Sequence, residues 1–241
     1  MKELQRFLKN HRLLCFYDLE GTQMSHEIIE IGAYKVLLKD DFTIKKVFRP
    51  YKAYVRPKHR IGHVVTKLTG IDEKLLEKKA IPFREMQAEL SKYIGKDFAN
   101  CLFIAYGSQD GAMFLASAEN NMDASMEMAR TVMKHTVDFS SLLRNYVQGT
   151  DGNPLSLTKS CEIFGIEFSG TAHDALADAK NLLELYRAFV TDYDTVAAQY
   201  KKVLEKSAHI PAPARKLFAA LGEGKTVTPA DYDAIVKECL Q

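Results

Sequence analysis

Residues 13–19 read Leu13-Leu14-Cys15-Phe16-Tyr17-Asp18-Leu19, a short apolar run rich in aromatics. A run of that length and content reads as a buried strand. Its end is unusual. Asp18 and Glu20 stand two positions apart, and in a strand residues i and i+2 project to the same face. Two like charges held close repel, and burial raises the cost. The pair is tolerable where a divalent cation sits between them. Its plainer reading is a strand that ends in a polar turn.

The chain around this run supplies partners for it. Residues 28–38 read as a second strand, Asp40-Asp41 as a turn, and 42–55 as a third strand ending before Pro57. Three strands joined by short turns predict an antiparallel meander. The period then changes. Residues 72–79 and 82–95 carry helical spacing, the second opening at Pro82. Residues 101–105 read as a fourth strand, with Asp110 soon after it. Residues 111–134 read as helical with a break near Asn120-Asn121, and 136–139 as a short fifth strand running into a helix over 140–147. Residues 150–154 read as a loop. Ser156 caps a helix ending near Gly165, the loop 165–171 holds two glycines, and 172–191 form a long helix. A meander followed by β-α-β crossovers predicts an α/β domain over 1–194, with a mixed five-stranded sheet and helices on both faces. Residues 195–241 read as a C-terminal helical extension. Its helices are expected over 195–207, 213–221 and 228–240, the last opened by Thr228-Pro229-Ala230-Asp231.

Composition sets the class. The chain is 46% hydrophobic and 27% charged, ordinary for a soluble globular protein. No segment approaches the roughly 18–20 continuous apolar residues of a membrane span. Residues 1–10 are amphipathic and charged, without the features of a signal peptide. The expectation is a cytoplasmic protein with no membrane partner. Cys15, Cys101, Cys161 and Cys239 are far apart and form no C-x-x-C pair, so reduced thiols are expected rather than a zinc or redox site. Net charge is only +2, but ten Lys or Arg lie between Lys35 and Lys67 against two acids. A basic strip beside an acidic remainder suits a phosphate backbone and a metal site. A solvated strand face with lysine-protected edges gives the same pattern.

Two further features carry chemistry. Asp110 follows the apolar strand 101–105, where a carboxylate can reach the Asp18–Glu20 pair or simply cap a helix. His173 and Asp178 stand five positions apart, which on a continuous helix turns their side chains roughly 140° from each other. They can converge if His173 lies on the preceding loop and Asp178 in the first turns. Asp174 reads as a surface acid. Tyr17 and Tyr106 read as core residues first and as base-stacking candidates second.

Taken together, Asp18-Leu19-Glu20, Asp110 and the H-x4-D spacing of His173 and Asp178 closely resemble the DEDDh exonuclease family. Flanking segments at 26–32, 67–71 and 155–157 share the likeness, which covers residues 12–190 and leaves out the tail. Many members carry N-x-x-F-D at the second motif. Here Tyr106-Gly107-Ser108-Gln109-Asp110 is similar to the W-G-x-x-D variant of the RNA-degrading branch that acts on histone messengers and small RNAs. The resemblance implies a ribonuclease-H-like fold and a 3′–5′ exonuclease that frees 5′-nucleoside monophosphates from single-stranded nucleic acid with a free 3′ end, RNA favoured over DNA. It implies two Mg²⁺ or Mn²⁺ ions held by Asp18, Glu20, Asp110 and Asp178, with His173 as general base. By motif position, Leu19, Gly21 and Thr22 would contact the last nucleotide. The competing readings are a DNA or short-oligonucleotide exonuclease, a catalytically silent nucleic-acid-binding or scaffolding module, and a nuclease whose helical tail docks a partner.

Overall fold

The structure, a computed structural model, describes residues 2–149, 153–207 and 209–239. Residues 150–152 of the expected 150–154 loop, and the expected helix end at Leu240, lie outside the described residues. After a short helix α1 (Lys2–Phe7), the apolar run forms β1 (Leu13–Gly21), which is extended by two residues past the expected end. β1 pairs antiparallel with β2 (Ile28–Leu38). The expected third strand is two: β3 (Ile44–Val47) and β4 (Tyr51–Arg56), both antiparallel to β2 and parted at Phe48–Pro50. Pro50 cannot donate a ladder hydrogen bond, which suits it to the gap between them. A two-residue strand β5 (Ile81–Pro82) lies beside β4. Beyond β1 lie β6 (Leu102–Ala105) and β7 (Thr136–Asp138), each parallel to its neighbour. The sheet is mixed, as expected, but among the described residues has seven strands rather than five, in the order β5-β4-β2-β1-β6-β7 with β3 also on β2.

The helices of this part are α2 (His63–Thr69), α3 (Glu73–Lys79), α4 (Phe83–Ile94), α5 (Asp110–Glu119), α6 (Met126–His135), α7 (Phe139–Leu143), α8 (Leu157–Ile163) and α9 (Ala175–Thr191). The alternation of β1 sorts its two faces. Cys15, Tyr17 and Leu19 join a core with Phe83, Met86, Phe103, Phe114 and Val132 from α4, α5, α6 and β6. Phe16 instead packs on Tyr186 of α9, their ring centroids 5.1 Å apart. Phe139 and Phe189 continue that second layer.

The described residues divide into two compact units, one of residues up to 142 with 156–191, the other of 143–155 with the residues from 192 onward. The second unit holds α10 (Tyr193–Lys206), α11 (Ala212–Gly222) and α12 (Pro229–Cys239). Asp192 caps α10 through Thr195, and Thr228 and Asp231 cap α12 reciprocally. Among the described residues no helix is long and apolar enough to cross a membrane.

Candidate active site

β1 and β6 run parallel, so their carboxyl ends lie on the same side of the sheet, where open α/β sheets place ligands. A cleft of about 410 Å³ opens there. Asp18, Leu19 and Glu20 line it from β1, Asp110 and Met113 from α5, and His173 and Asp178 from the start of α9. Tyr106, Gln109, Leu157 and Phe168 complete much of the wall.

Each acid arrives for a local reason. The alternation that buries Phe16 against Tyr186 also turns Asp18 and Glu20 toward α9. Asp110 opens α5 after the 106–109 link and accepts a backbone hydrogen bond from Leu19. The start of that link is fixed by Asp138, which accepts from the Gly107 amide at 2.8 Å. His173 stands in the turn before α9, in the left-handed region at φ 67°, and Asp178 lies in the first turn. That break in the helix lets the two meet: the His173 amide donates to Asp178 Oδ2 at 2.9 Å. His173 Nδ1 lies 3.8 Å from Glu20 Oε1, with half of its ring exposed.

The electrostatics are those of crowded acids. Burial, then the charges of Asp110, Asp178, Glu20 and Glu30, hold the Asp18 carboxyl well above the usual carboxylate range. Burial, then Asp178 and Glu30, push Glu20 up to about 8. Asp110 is pushed up to about 7 by burial, against its backbone hydrogen bonds. Burial raises Asp178 as well, opposed by the His173 amide and ring. The donor set is hard oxygen with one imidazole, which suits Mg²⁺ or Mn²⁺ and offers no thiolate. Ligand atoms of Glu20, His173 and Asp178 all lie within 4.8 Å of one another. A divalent cation would return these raised carboxyls to their ionised form.

Other expected site residues are placed differently. Leu19 lines the cleft, whereas Gly21 and Thr22 are not among its lining residues. Thr22 is buried, and its hydroxyl accepts from the Glu27 amide and pairs with Ser25. Tyr17 is core, its hydroxyl on Thr136, while Tyr106 reaches the cleft and bonds Ser160. The basic strip is not one surface. Lys35 donates to the Tyr93 carbonyl and Arg56 to that of Ala80. Lys52 binds Glu30 at 2.8 Å and Asp174 at 2.7 Å. Asp174 is therefore no idle surface acid; it also accepts the Leu176 and Ala177 amides. Sequence reading passed over Glu30, although an acid inside the apolar run 28–38 signals a buried charge in need of a partner.

The exonuclease family model matches residues 15–186. A PolC-type DNA polymerase III from Caldanaerobacter subterraneus subsp. tengcongensis is 28% identical over 174 residues, 70% of this chain and 11% of that protein. The chain thus spans about a tenth of that relative's length. Among solved structures, the nuclease domain of 3′hExo, a DEDDh family member bound to rAMP, superposes with a TM-score of 0.61 at 18% identity, over 76% of this chain and 94% of that one. E. coli exonuclease I in complex with a dT13 oligonucleotide gives 0.56 at 16% identity, over 80% and 44%. These likenesses show the fold, which is ribonuclease-H-like.

Proposed function

The chain belongs to the exonuclease family, and from that premise we propose that it is a metal-dependent 3′–5′ exonuclease that degrades single-stranded nucleic acid, RNA before DNA, to 5′-nucleoside monophosphates. The observation that carries the reading is the meeting of Asp18, Glu20, Asp110, Asp178 and His173 on one cleft. The chemistry is assigned to residues 1–194, with the helical extension 195–241 outside it.

Asp18, Glu20, Asp110 and Asp178 would hold two Mg²⁺ or Mn²⁺ ions. When bound, such ions lower the pKa of water and stabilise the charge that develops on the phosphate and the leaving 3′ oxygen. The chain's own residues do the rest. His173 turns Nδ1 toward Glu20, and its imidazole would take the attacking water's proton. The left-handed backbone at His173 and its amide bond to Asp178 orient the ring. Leu19 lies against the terminal nucleotide. Thr22 serves the turn instead, because its hydroxyl is already engaged there. The exposed Lys45, Lys46, Arg49, Lys58, Arg60 and Lys67 remain to attract the upstream strand.

The preference for RNA rests on the segment Tyr106 to Asp110. DNA is the competing substrate, since the PolC-type relative is a DNA polymerase and exonuclease I binds dT13. The test uses 5′-labelled single-stranded RNA and matching DNA with Mg²⁺, Mn²⁺ or EDTA, resolved on a sequencing gel. The expected result is a ladder shortening from the 3′ end, faster on RNA, absent in EDTA and absent in Asp18→Asn. A silent binding module would retain both strands and cleave neither.

A further inference from the structure

We propose that Lys52, with Glu30 and Asp174, forms a positioning network that sets where His173 and Asp178 stand against Glu20; the inference rests on the exonuclease reading and deepens it. Glu30 is 2% exposed and lies opposite Glu20 in the β1–β2 pairing. Its carboxylate accepts the Ala175 amide, the first of α9, at 3.0 Å. The same carboxylate pairs with Lys52 Nζ at 2.8 Å. From β4, Lys52 reaches over β2 and also holds Asp174 Oδ2 at 2.7 Å. The other oxygen of Asp174 accepts the Leu176 and Ala177 amides, both at 3.0 Å. One ammonium thus ties the sheet face to the opening turn of α9.

Three physical points give this arrangement a purpose. A buried carboxylate needs a cation, and Lys52 supplies it without entering the acid cluster of the cleft. The opening turn of α9 lies against bare backbone of β2, because a Cβ at Gly32 would overlap Ala175 and Leu176. Residue 173 occupies the left-handed region, which a histidine holds only when its flanks fix it. The network fixes the C-terminal flank, from residue 174 to residue 177. Lys52 is not among the cleft's lining residues, so it acts through α9 and not on substrate.

The experiment compares wild type, Lys52→Met, Lys52→Arg and the double variant Glu30→Gln/Lys52→Met. It measures kcat and KM on single-stranded RNA at saturating Mn²⁺, amide hydrogen exchange across residues 171–178, and thermal melting. Lys52→Met should lower kcat about 10–100-fold, the usual effect of losing a partner behind a metal site, with KM changed less than about twofold. Exchange should quicken in 171–178 and not in β1, and Lys52→Arg should recover most of the rate. The double variant removes the unpaired buried charge, so it reports on the tie alone if Lys52→Met melts too low to assay. It too should be slow. Wild-type kcat in Lys52→Met and in the double variant, a loss confined to KM, or unchanged exchange in 171–178 would each overturn the network. A wild type that cleaves nothing would sink the exonuclease reading instead, and exchange alone would then decide the network.

Discussion

Gly32→Ala asks how tightly α9 is seated. The added Cβ would land on backbone atoms of Ala175 and Leu176, which cannot rotate aside as a side chain can. Overpacking of this kind costs roughly 1–3 kcal/mol. Relief requires the helix to lift, and the Ala175 amide then leaves the Glu30 carboxylate. A hydrogen bond to a charged group is worth roughly 1.5–3 kcal/mol. The total, roughly 2.5–6 kcal/mol, is large against a typical stability of about 5–15 kcal/mol, so the variant should fold but melt early. His173 and Asp178 ride on the displaced end, and a misplacement of about 1 Å costs on the order of 10²-fold in rate. Urea unfolding monitored by circular dichroism gives the first quantity, and turnover on labelled RNA at saturating Mn²⁺ gives the second. A Gly32→Ala protein with wild-type midpoint and wild-type turnover would show that α9 is not held against β2 as described.

The acid cluster should make the metal-free protein pH-sensitive. Glu20, ordinarily near 4.5, is raised to about 8, so between those values the folded state binds more protons than the unfolded one. Stability from this group is therefore greatest at low pH and falls as pH rises toward 8. Melting in EDTA should show that fall, and Mn²⁺ should flatten it; a metal-free melting temperature that rises over this range would contradict the site's electrostatics. His173→Ala should cut turnover roughly 10²–10⁴-fold while Mn²⁺ affinity by calorimetry stays near wild type. An unchanged rate would remove it as the base. Tyr186→Phe deletes the buried hydroxyl that donates to the Phe42 carbonyl at 2.8 Å, and should lower stability by about 1–3 kcal/mol in urea unfolding without changing the rate.

Much of the frame was legible because local patterns carry it. The run at 13–19 reads as a buried strand from its length and its aromatics, and a period of two placed Asp18 and Glu20 together. The long helix expected from 172 begins at Ala175, which puts His173 on the preceding turn, the arrangement under which it and Asp178 can converge. The expected third strand, 42–55, instead follows β2 in two pieces. Alternation shows extended chain there, but not that β2 is long enough to pair with both. Helix α2 went unseen because it spans only seven residues, too few to show a period, although Val65 packs against the cluster of Ile29, Ile61 and Leu76. The Glu30–Lys52–Asp174 tie was invisible for a different reason. It depends on strand register and on a helix far along the chain, so Lys52 was indistinguishable from its basic neighbours.

The bond from Ala175 to Glu30 joins positions 145 apart in sequence. Contacts that distant form only after much of the chain has been ordered, since a long loop must close first. A chain cut short before residue 173 would still contain every strand of the sheet. It would leave Asp18, Glu20 and Glu30 on a face that α9 no longer covers, beside an uncovered Phe16. Such a fragment carries charge repulsion and an open apolar surface together, the combination that marks a truncated product for aggregation or proteolysis.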